Sequence, residues 1–550
     1  MKTFYMKNKK IIYTILGVAF IIGMLTIMKS YTSDRMTANV FLSRLKQVVA
    51  EKQKNHIKTQ TQTQTQTQTQ TQTQTQTRES QTLEVTVNTR KLTPLNPDIS
   101  GINTAFSFSI PGIGTDAGFT EKTTSLAPTL LRFPGGTLAN YYHPGGVGYG
   151  IKLSEAKNSI ILSEYLKQKD LTTGALDEYI AQTKIVGNKT LVVANLLTGT
   201  PEELLVVLDT FKQNGLKVEG VELGNELYFL EYRKKFPSVD TYIAKAKAFA
   251  AVIKEKYPDI KIGVIAAKVS GEAGGSVGSQ SFATTWNKKL GTENFFDNYI
   301  IHGYIDDSEC VKNLNTKFDE AFTCVNQKLA VSSNEFVSNL INNTSSYFPN
   351  KKIWYTEWNV KSPQVLVGNT ITHAGYVLET LFAMNDINKR TNNSIEYATY
   401  HNYLSKNYGY ASMIINPLGK IETTGAYYAM SLFNLVAKNG SKNIDQQTIK
   451  TTLSGDTFIY RMFYNSNKNK LMMMYINKSG EDVSLTKING FTYRSAQIIN
   501  FKGSKLYSAF GKTGFANNQQ EKAEKVIENT GQFNGIIPGP YSIGVIEFNK

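Results

Sequence analysis

Between residues 101 and 403 the sequence repeats one alternation, a short apolar run followed by a stretch of helical periodicity. The apolar runs are "GINTAF" (101–106), "TLLRF" (129–133), "TLVVANLL" (190–197), "GVELGN" (220–225), "KIGVIAA" (261–267), "NYIIHGY" (298–304), "KIWYTEW" (352–358) and "YATYHNY" (397–403). Helical stretches fall between most pairs, at 175–187, 201–213, 240–256, 332–342 and 372–388. The second of these opens on Thr200-Pro201-Glu202-Glu203. That is a capping hydroxyl, a proline in the first turn and two acids at the positive end of the helix dipole. Strands alternating with helices call for a parallel sheet, and eight such units predict a (β/α)8 barrel, an α/β fold.

Beyond the barrel the alternation stops. "DTFIYRMFY" (456–464), "KLMMMYIN" (470–477), "SAQIINF" (495–501) and "YSIGVIEF" (541–548) are strands with no helices between them. They predict a C-terminal antiparallel β-sandwich. "LEVTVN" (83–88) precedes the barrel and is expected to join that sandwich. The expected division is a cytoplasmic tail and anchor over 1–30, a juxtamembrane segment and linker over 31–82 and a sandwich strand over 83–98. The catalytic barrel takes 99–438 and the sandwich 439–550.

The N-terminus carries Lys2, Lys7, Lys9 and Lys10, then the uncharged run "IIYTILGVAFIIGMLTIM" at 11–28. At about 1.5 Å per residue that run reaches roughly 27 Å, close to the thickness of a bilayer core. Lysines in front of it place the N-terminus in the cytoplasm and the rest outside. The reading is an uncleaved transmembrane helix; the alternative is a secreted protein released by signal cleavage. Phe41, Leu45 and Val48 recur at helical spacing within 36–58, and a Thr-Gln alternation runs from Thr59 to Thr77. With no apolar side chain the latter cannot join a core and reads as a disordered linker.

The net charge of +16 suggests a nucleic-acid partner, but its location argues against one. Residues 1–80 carry 12 Lys and Arg against three Asp and Glu, which leaves +7 on the other 470 residues with no dense basic run. A nucleic-acid role is set aside on that ground. The two cysteines, Cys310 and Cys324, form no CxxC or Cys/His cluster, so a structural zinc site is not expected. An extracytoplasmic disulfide and two buried thiols both remain open.

"VELGNEL" (221–227) runs as a core strand and then stops on Asn225-Glu226. Barrel enzymes keep their active sites at the C-terminal ends of the strands, so a strand finishing on Asn-Glu delivers both side chains to that face. "IWYTEW" does the same with Glu357. These are the fourth and seventh strands, which face each other across the barrel mouth. Two carboxylates across one cleft are the equipment of a retaining glycosidase, one a general acid and the other a nucleophile, roughly 5–5.5 Å apart.

"ELGNE" and "YTEWN" resemble the acid/base and nucleophile signatures of the clan A glycoside hydrolases. "LRFPGGTLANYYHP", "NLLTGTPEEL" and "FFDNYIIHGY" resemble the second, third and sixth strand segments of family 51, the α-L-arabinofuranosidases. Families 39, 44 and 79 share parts of the pattern, and Thr137 stands where family 51 usually has Asn. The resemblance covers about residues 83–550. It implies Glu226 as acid/base and Glu357 as nucleophile. It implies Asn225 as a hydrogen-bond partner of the substrate's 2-hydroxyl and Tyr304 as the group that holds Glu357 ionised and aimed. His302, two residues before Tyr304, faces the same way. It is either a site residue or a hydrogen-bonded barrel histidine. Arg132 lowers the pKa of Glu357 or forms an ion pair within the barrel.

Asn103, Asn402 and Tyr403 sit near strand ends as candidate hydroxyl binders, and Trp358 and Trp286 are candidates to stack on sugars. His143 lies in a glycine-rich loop, "HPGGVGYG", that is no phosphate loop and reads as part of the cleft rim. No metal or organic cofactor is implied. The expected function is a retaining glycoside hydrolase acting on a carbohydrate outside the cytoplasm. Its rival is a catalytically silent carbohydrate-binding or exopolysaccharide-assembly protein on the same barrel. A silent barrel should have lost a carboxylate, and both are present.

Overall fold

The structure is a computed structural model. It describes residues 81–550 apart from 157–171, 270–277, 314–316, 362–365, 407–410 and 516–518 and the single positions 393, 417, 439, 454, 456 and 520. The apolar run at 11–28, the segment at 36–58 and the Thr-Gln tract lie outside the described residues. Among the described residues no helix is long and apolar enough to cross a membrane.

The chain enters on β1 (Gln81–Pro94) and then closes a barrel of parallel strands in chain order. These are β2 (Gly101–Asn103), β3 (Leu130–Phe133), β4 (Lys189–Ala194), β5 (Lys217–Leu223), β6 (Lys261–Ile265), β7 (Asn298–Ile305), β8 (Lys352–Val360) and β9 (Ile395–His401), with β9 pairing back onto β2. They are the eight strands that the apolar runs predict. A helix follows each one: α1 (Ala117–Leu126), α2 (Ala175–Val186), α3 (Pro201–Gln213), α4 (Val239–Lys256), α5 (Gln280–Leu290), α6 (Phe318–Ser345), α7 (Ile371–Thr391) and α8 (Gly425–Ala437). α3 starts as expected, with a reciprocal capping box between Thr200 and Glu203. α1, α5 and α8 are additions to the expected set, and α6 begins well before the predicted 332.

Trp354 of β8 reaches across the lower barrel. A Cβ at Gly220 or Gly263 would lie 2.4 or 2.5 Å from its ring, which is why β5 and β6 carry glycine there. Its indole N–H donates to Glu396 at 3.1 Å, and the same carboxylate accepts from Asn298 at 2.8 Å. The lower barrel is therefore a packed plug, and the opening lies at the strands' C-terminal ends.

Between β9 and α8 lies a small sheet of β10 (Leu404–Ser405), β11 (Met413–Ile415) and β12 (Ile421–Thr423). The C-terminal strands are β13 (Lys442–Thr451), β14 (Phe458–Asn465), β15 (Lys470–Asn477), β16 (Val483–Asn489), β17 (Ser495–Lys502), β18 (Ile527–Gln532), β19 (Ile536–Ile537) and β20 (Ser542–Asn549). With β1 they form one sheet in the order β18-β17-β20-β15-β14-β13-β1-β16-β19. β1 pairs antiparallel with β13 but parallel with β16, so the sheet is mixed rather than purely antiparallel. β15 explains its unbroken apolar run. Met472, Met474 and Ile476 join the barrel-side core, while Leu471, Met473 and Tyr475 fill the sandwich's own interior. Both faces are covered, so neither needs polar residues. Cys310 and Cys324 are disulfide-bonded, tying the single turn Cys310–Asn313 to α6.

Candidate active site

Strand alternation alone would misplace Glu357. Trp354 points into the barrel, and counting by twos from it turns residue 357 outward. The register shows the remedy. Ile301 pairs with Tyr355 but His302 pairs with Glu357, so β8 carries one extra residue, Thr356, against β7. A bulge of this kind re-aims the side chain that follows it. Thr356 stays inside, its Oγ1 3.3 Å from His302 Nε2, and Glu357 turns inward after it.

There Glu357 meets fixed donors. Arg132 Nη1 donates to Oε1 at 2.8 Å and Asn103 Nδ2 to the same oxygen at 3.2 Å. Tyr304 donates its hydroxyl to Oε2 at 2.7 Å. Burial works to raise the Glu357 pKa, but His302, His401, Arg132 and the Tyr304 hydroxyl outweigh it and hold the carboxyl well below its ordinary range. Asn103 keeps its place because residue 135 is glycine. Gly135 has φ +73°, and a Cβ there would fall 1.8 Å from Asn103 Oδ1.

Arg132 is fully buried and shared. Its Nε and Nη2 donate to Glu222 Oε2 at 2.9 and 2.8 Å, and Nη2 also donates to Asn225 Oδ1 at 2.8 Å. Burial disfavours its charge, yet Glu222 and Glu357 raise its pKa further, so it remains a cation. It is at once an ion pair within the barrel and a contact of Glu357. An arginine only donates, so Asn225 must offer its oxygen here and present its NH2 away from Arg132.

Glu226 follows β5 in a left-handed backbone conformation, φ +49°. Its Oε1 accepts from the Tyr228 hydroxyl at 3.4 Å. His302 Nδ1 lies 3.1 Å from that oxygen and 3.8 Å from Glu357 Oε2, without hydrogen-bond alignment to either. Burial works against a charge on His302, but Glu357 and Glu226 prevail and raise its pKa above the usual value. Nearest ligand atoms of Glu226, His302 and Glu357 all lie within 4.8 Å of one another. The same three side chains are metal-ligating types, but Arg132 already occupies Glu357 with positive charge.

The structure thus gathers Glu226, Glu357, Asn225, Tyr304, His302, Arg132 and Asn103 around one point. Other expectations need correction. Trp358 follows Glu357 on the strand and so points outward. It is fully buried against Tyr400 at 5.1 Å and has no free face for a sugar. Trp286 is core as well, donating to the Ile265 carbonyl at 2.9 Å. Tyr403 is buried on Phe119, with its hydroxyl 2.5 Å from Thr123 Oγ1. Asn402 lies next to the site residue His401 but outside the hydrogen-bond network on Glu357, with its Oδ1 buried and unpartnered. His143 itself does not line a cleft. It is buried between Glu203 and Glu155, at 2.9 and 2.8 Å.

Sequence reading passed over three residues. Glu222 lies mid-strand in β5, and a carboxylate and an arginine (Arg132), each within a core strand, are a signal for a buried pair. His401 ends β9, its Nδ1 2.9 Å from Asn103 Nδ2. Asn140 pairs with the main chain of Asn225.

No family model matches the sequence, and no curated protein matches it. Solved structures do. The GH51 arabinofuranosidase from Xanthomonas axonopodis pv. citri superposes with a TM-score of 0.59 at 13% identity, over 85% of this chain and 100% of that one. An alpha-L-arabinofuranosidase from Thermotoga maritima gives 0.56 at 16%, over 85% and 99%. A glycoside hydrolase family 44 xyloglucanase from Paenibacillus polymyxa gives 0.54 at 13%, over 86% and 100%. At such identities the likeness is one of architecture, and the chain has the barrel-and-sandwich fold of the clan A glycoside hydrolases.

Proposed function

We propose that the protein is a retaining glycoside hydrolase with Glu357 as nucleophile and Glu226 as acid/base. The observation that carries this is the separation of the two carboxyls, whose nearest oxygens lie within 4.8 Å. Retaining enzymes hold the pair roughly 5–5.5 Å apart, whereas inverting ones leave room for a water at about 6.5–9.5 Å. Glu357, held ionised, attacks the anomeric carbon while Glu226 gives its proton to the glycosidic oxygen, and the bond to the leaving group breaks. A glycosyl ester on Glu357 results. Glu226, now a carboxylate, takes a proton from water as that water's oxygen attacks the same carbon, and the ester bond breaks to restore Glu357. The Asn225 NH2, aimed by Arg132, bonds the sugar's 2-hydroxyl, an interaction that strengthens in the transition state.

The substrate we propose is a polysaccharide or glycoside outside the cytoplasm, with the chain held to the membrane by residues 11–28. The apolar run with its flanking lysines supports this, and the Cys310–Cys324 disulfide suits an oxidising compartment. The mechanism is tested by following product release by NMR on aryl glycosides of arabinofuranose, xylose, glucose and glucuronic acid. The first-formed anomer should keep the substrate's configuration; the opposite anomer appearing first refutes retention.

A further inference from the structure

A non-glycine residue stays in the left-handed region only where its surroundings fix it. For Glu226 the fixing comes from another strand's loop. Asn140 is fully buried in the single turn Thr137–Tyr141 that follows β3. Its carboxamide lies along the main chain of Asn225. Oδ1 accepts from the Asn225 N–H at 3.1 Å, and Nδ2 donates to the Asn225 carbonyl at 2.7 Å. That carbonyl belongs to the peptide plane about which the φ of Glu226 turns. On the far side, the Glu226 carbonyl accepts from the Phe229 N–H at 3.0 Å. Asn140 is itself braced. Its carbonyl accepts from Thr198 Oγ1 at 3.2 Å, the Thr198 N–H donates to Asn195 Oδ1 at 2.9 Å, and Asn195 Nδ2 donates to the Tyr142 carbonyl at 3.0 Å. The loops after β3 and β4 thus converge on the turn that bears Glu226.

We propose that Asn140 is a positioning residue for the acid/base: its two-point grip on the Asn225 peptide holds Glu226 in its left-handed conformation and so sets where the proton is delivered. This rests on the reading of Glu226 as acid/base. Without the grip Glu226 is still present but relaxes toward ordinary backbone angles, which swings its carboxyl off the glycosidic oxygen. A misplacement of about 1 Å costs roughly a hundredfold in rate. The loss should fall on substrates that need the proton, because a good leaving group departs without it.

The test compares phenyl and dinitrophenyl glycosides of one sugar on the full-length protein, with Asn140→Ala, Asn140→Asp and Glu226→Ala beside the wild type. Asn140→Ala should lose roughly a hundredfold in kcat/KM on the phenyl glycoside and less than about threefold on the dinitrophenyl one. Asn140→Asp has the same shape and keeps the acceptor but sets a carboxylate against the Asn225 carbonyl. It should show the same selective loss, and it carries the test where the alanine variant does not fold. Glu226→Ala should show the largest leaving-group dependence. If Glu226→Ala loses activity equally on both substrates, the acid/base reading fails. If Glu226→Ala is selective and the Asn140 variants lose activity equally on both substrates, or lose none, the positioning role is overturned.

Discussion

The two carboxylates at the barrel mouth are held by opposite means. Glu357 is gripped by its side chain, with three donors on its two oxygens and an arginine among them. Glu226 is held through its main chain, by Asn140 before it and the Phe229 N–H after it, while its carboxyl meets one long bond from Tyr228 and the unaligned His302 Nδ1 at 3.1 Å. The difference fits the proposed roles. A nucleophile must stay ionised and aimed, and fixed donors do both. An acid/base changes its charge twice per turnover, and each strong donor to the carboxylate would resist taking the proton back. Fixing the backbone aims the group without placing strong donors on its carboxyl.

The largest expected effect is at the side-chain-held end. Glu357→Gln should lower turnover by roughly four orders of magnitude or more on every leaving group, because an amide forms no glycosyl ester. Steady-state rates on phenyl and dinitrophenyl glycosides check this. A variant impaired only on the phenyl substrate would exchange the two assignments.

A second expectation concerns stability. The Glu357 end depends on a buried cation, so Arg132→Met should destabilise the protein by about 3–5 kcal/mol, since it leaves Glu222 buried and unpaired. Adding Glu222→Gln should recover part of that loss. Glu226→Gln, at the main-chain-held end, should change stability by no more than about 1 kcal/mol. Denaturant unfolding of the wild type and these three variants measures all of this. Equal losses at the two ends would erase the contrast.

The smallest effect is acid sensitivity, and it too belongs to the Glu357 side. His373 of α7 sits beneath it. Nε2 lies 3.0 Å from Asn359 Oδ1, and Asn359 Nδ2 donates to the Tyr400 hydroxyl and the His401 carbonyl. Burial pushes the His373 pKa down to about 4. The unfolded chain therefore binds this proton first, and stability falls as pH drops from about 6.5 to about 4. A shift of this size is worth about 3 kcal/mol at most. His401 is shifted the same way, so the measurement is the difference between wild type and His373→Gln in unfolding free energy against pH. His302, raised instead, contributes stability that is lost above its ordinary pKa, outside that window. Parallel curves for the two proteins would remove His373 from the account.

The barrel strands were legible because each is an apolar run between polar segments. Of the missed helices, α1 and α8 lack the matching signal for a helix, one apolar stripe on a polar surface. α1, "AGFTEKTTSL", has few apolar positions, and α8, "GAYYAMSLFNLVA", is apolar nearly all round because its surroundings bury all but the half-buried face of Tyr428, Ser431 and Leu435. β18, "IENTGQ", is exposed throughout and exists through its ladder to β17, which no local pattern announces. In the site, strand ends pointed to Glu226 and Glu357, and the resemblance to the clan A hydrolases pointed to Tyr304 and Arg132. Trp358 was misjudged although alternation after Glu357 already turned it outward. Asn140 could not be read, since its partner is a main chain 85 residues away.

β1 has a consequence for the order in which the protein can assemble. It leaves the ribosome ahead of the whole barrel, yet it lies between β13 and β16, and Thr82 finds its bond partner 370 residues later at Thr452. Until those strands are synthesised, β1 has no ladder, and Leu83, Val85 and Val87 have no interior to enter. The barrel strands, each pairing with the next, need not wait. A chain cut short after the barrel would therefore expose a long unpaired strand with three apolar side chains on one face. Such a strand invites pairing with another copy. Assembly of the sandwich is in effect a proofreading step for full-length synthesis, since only a finished chain can cover its own first strand.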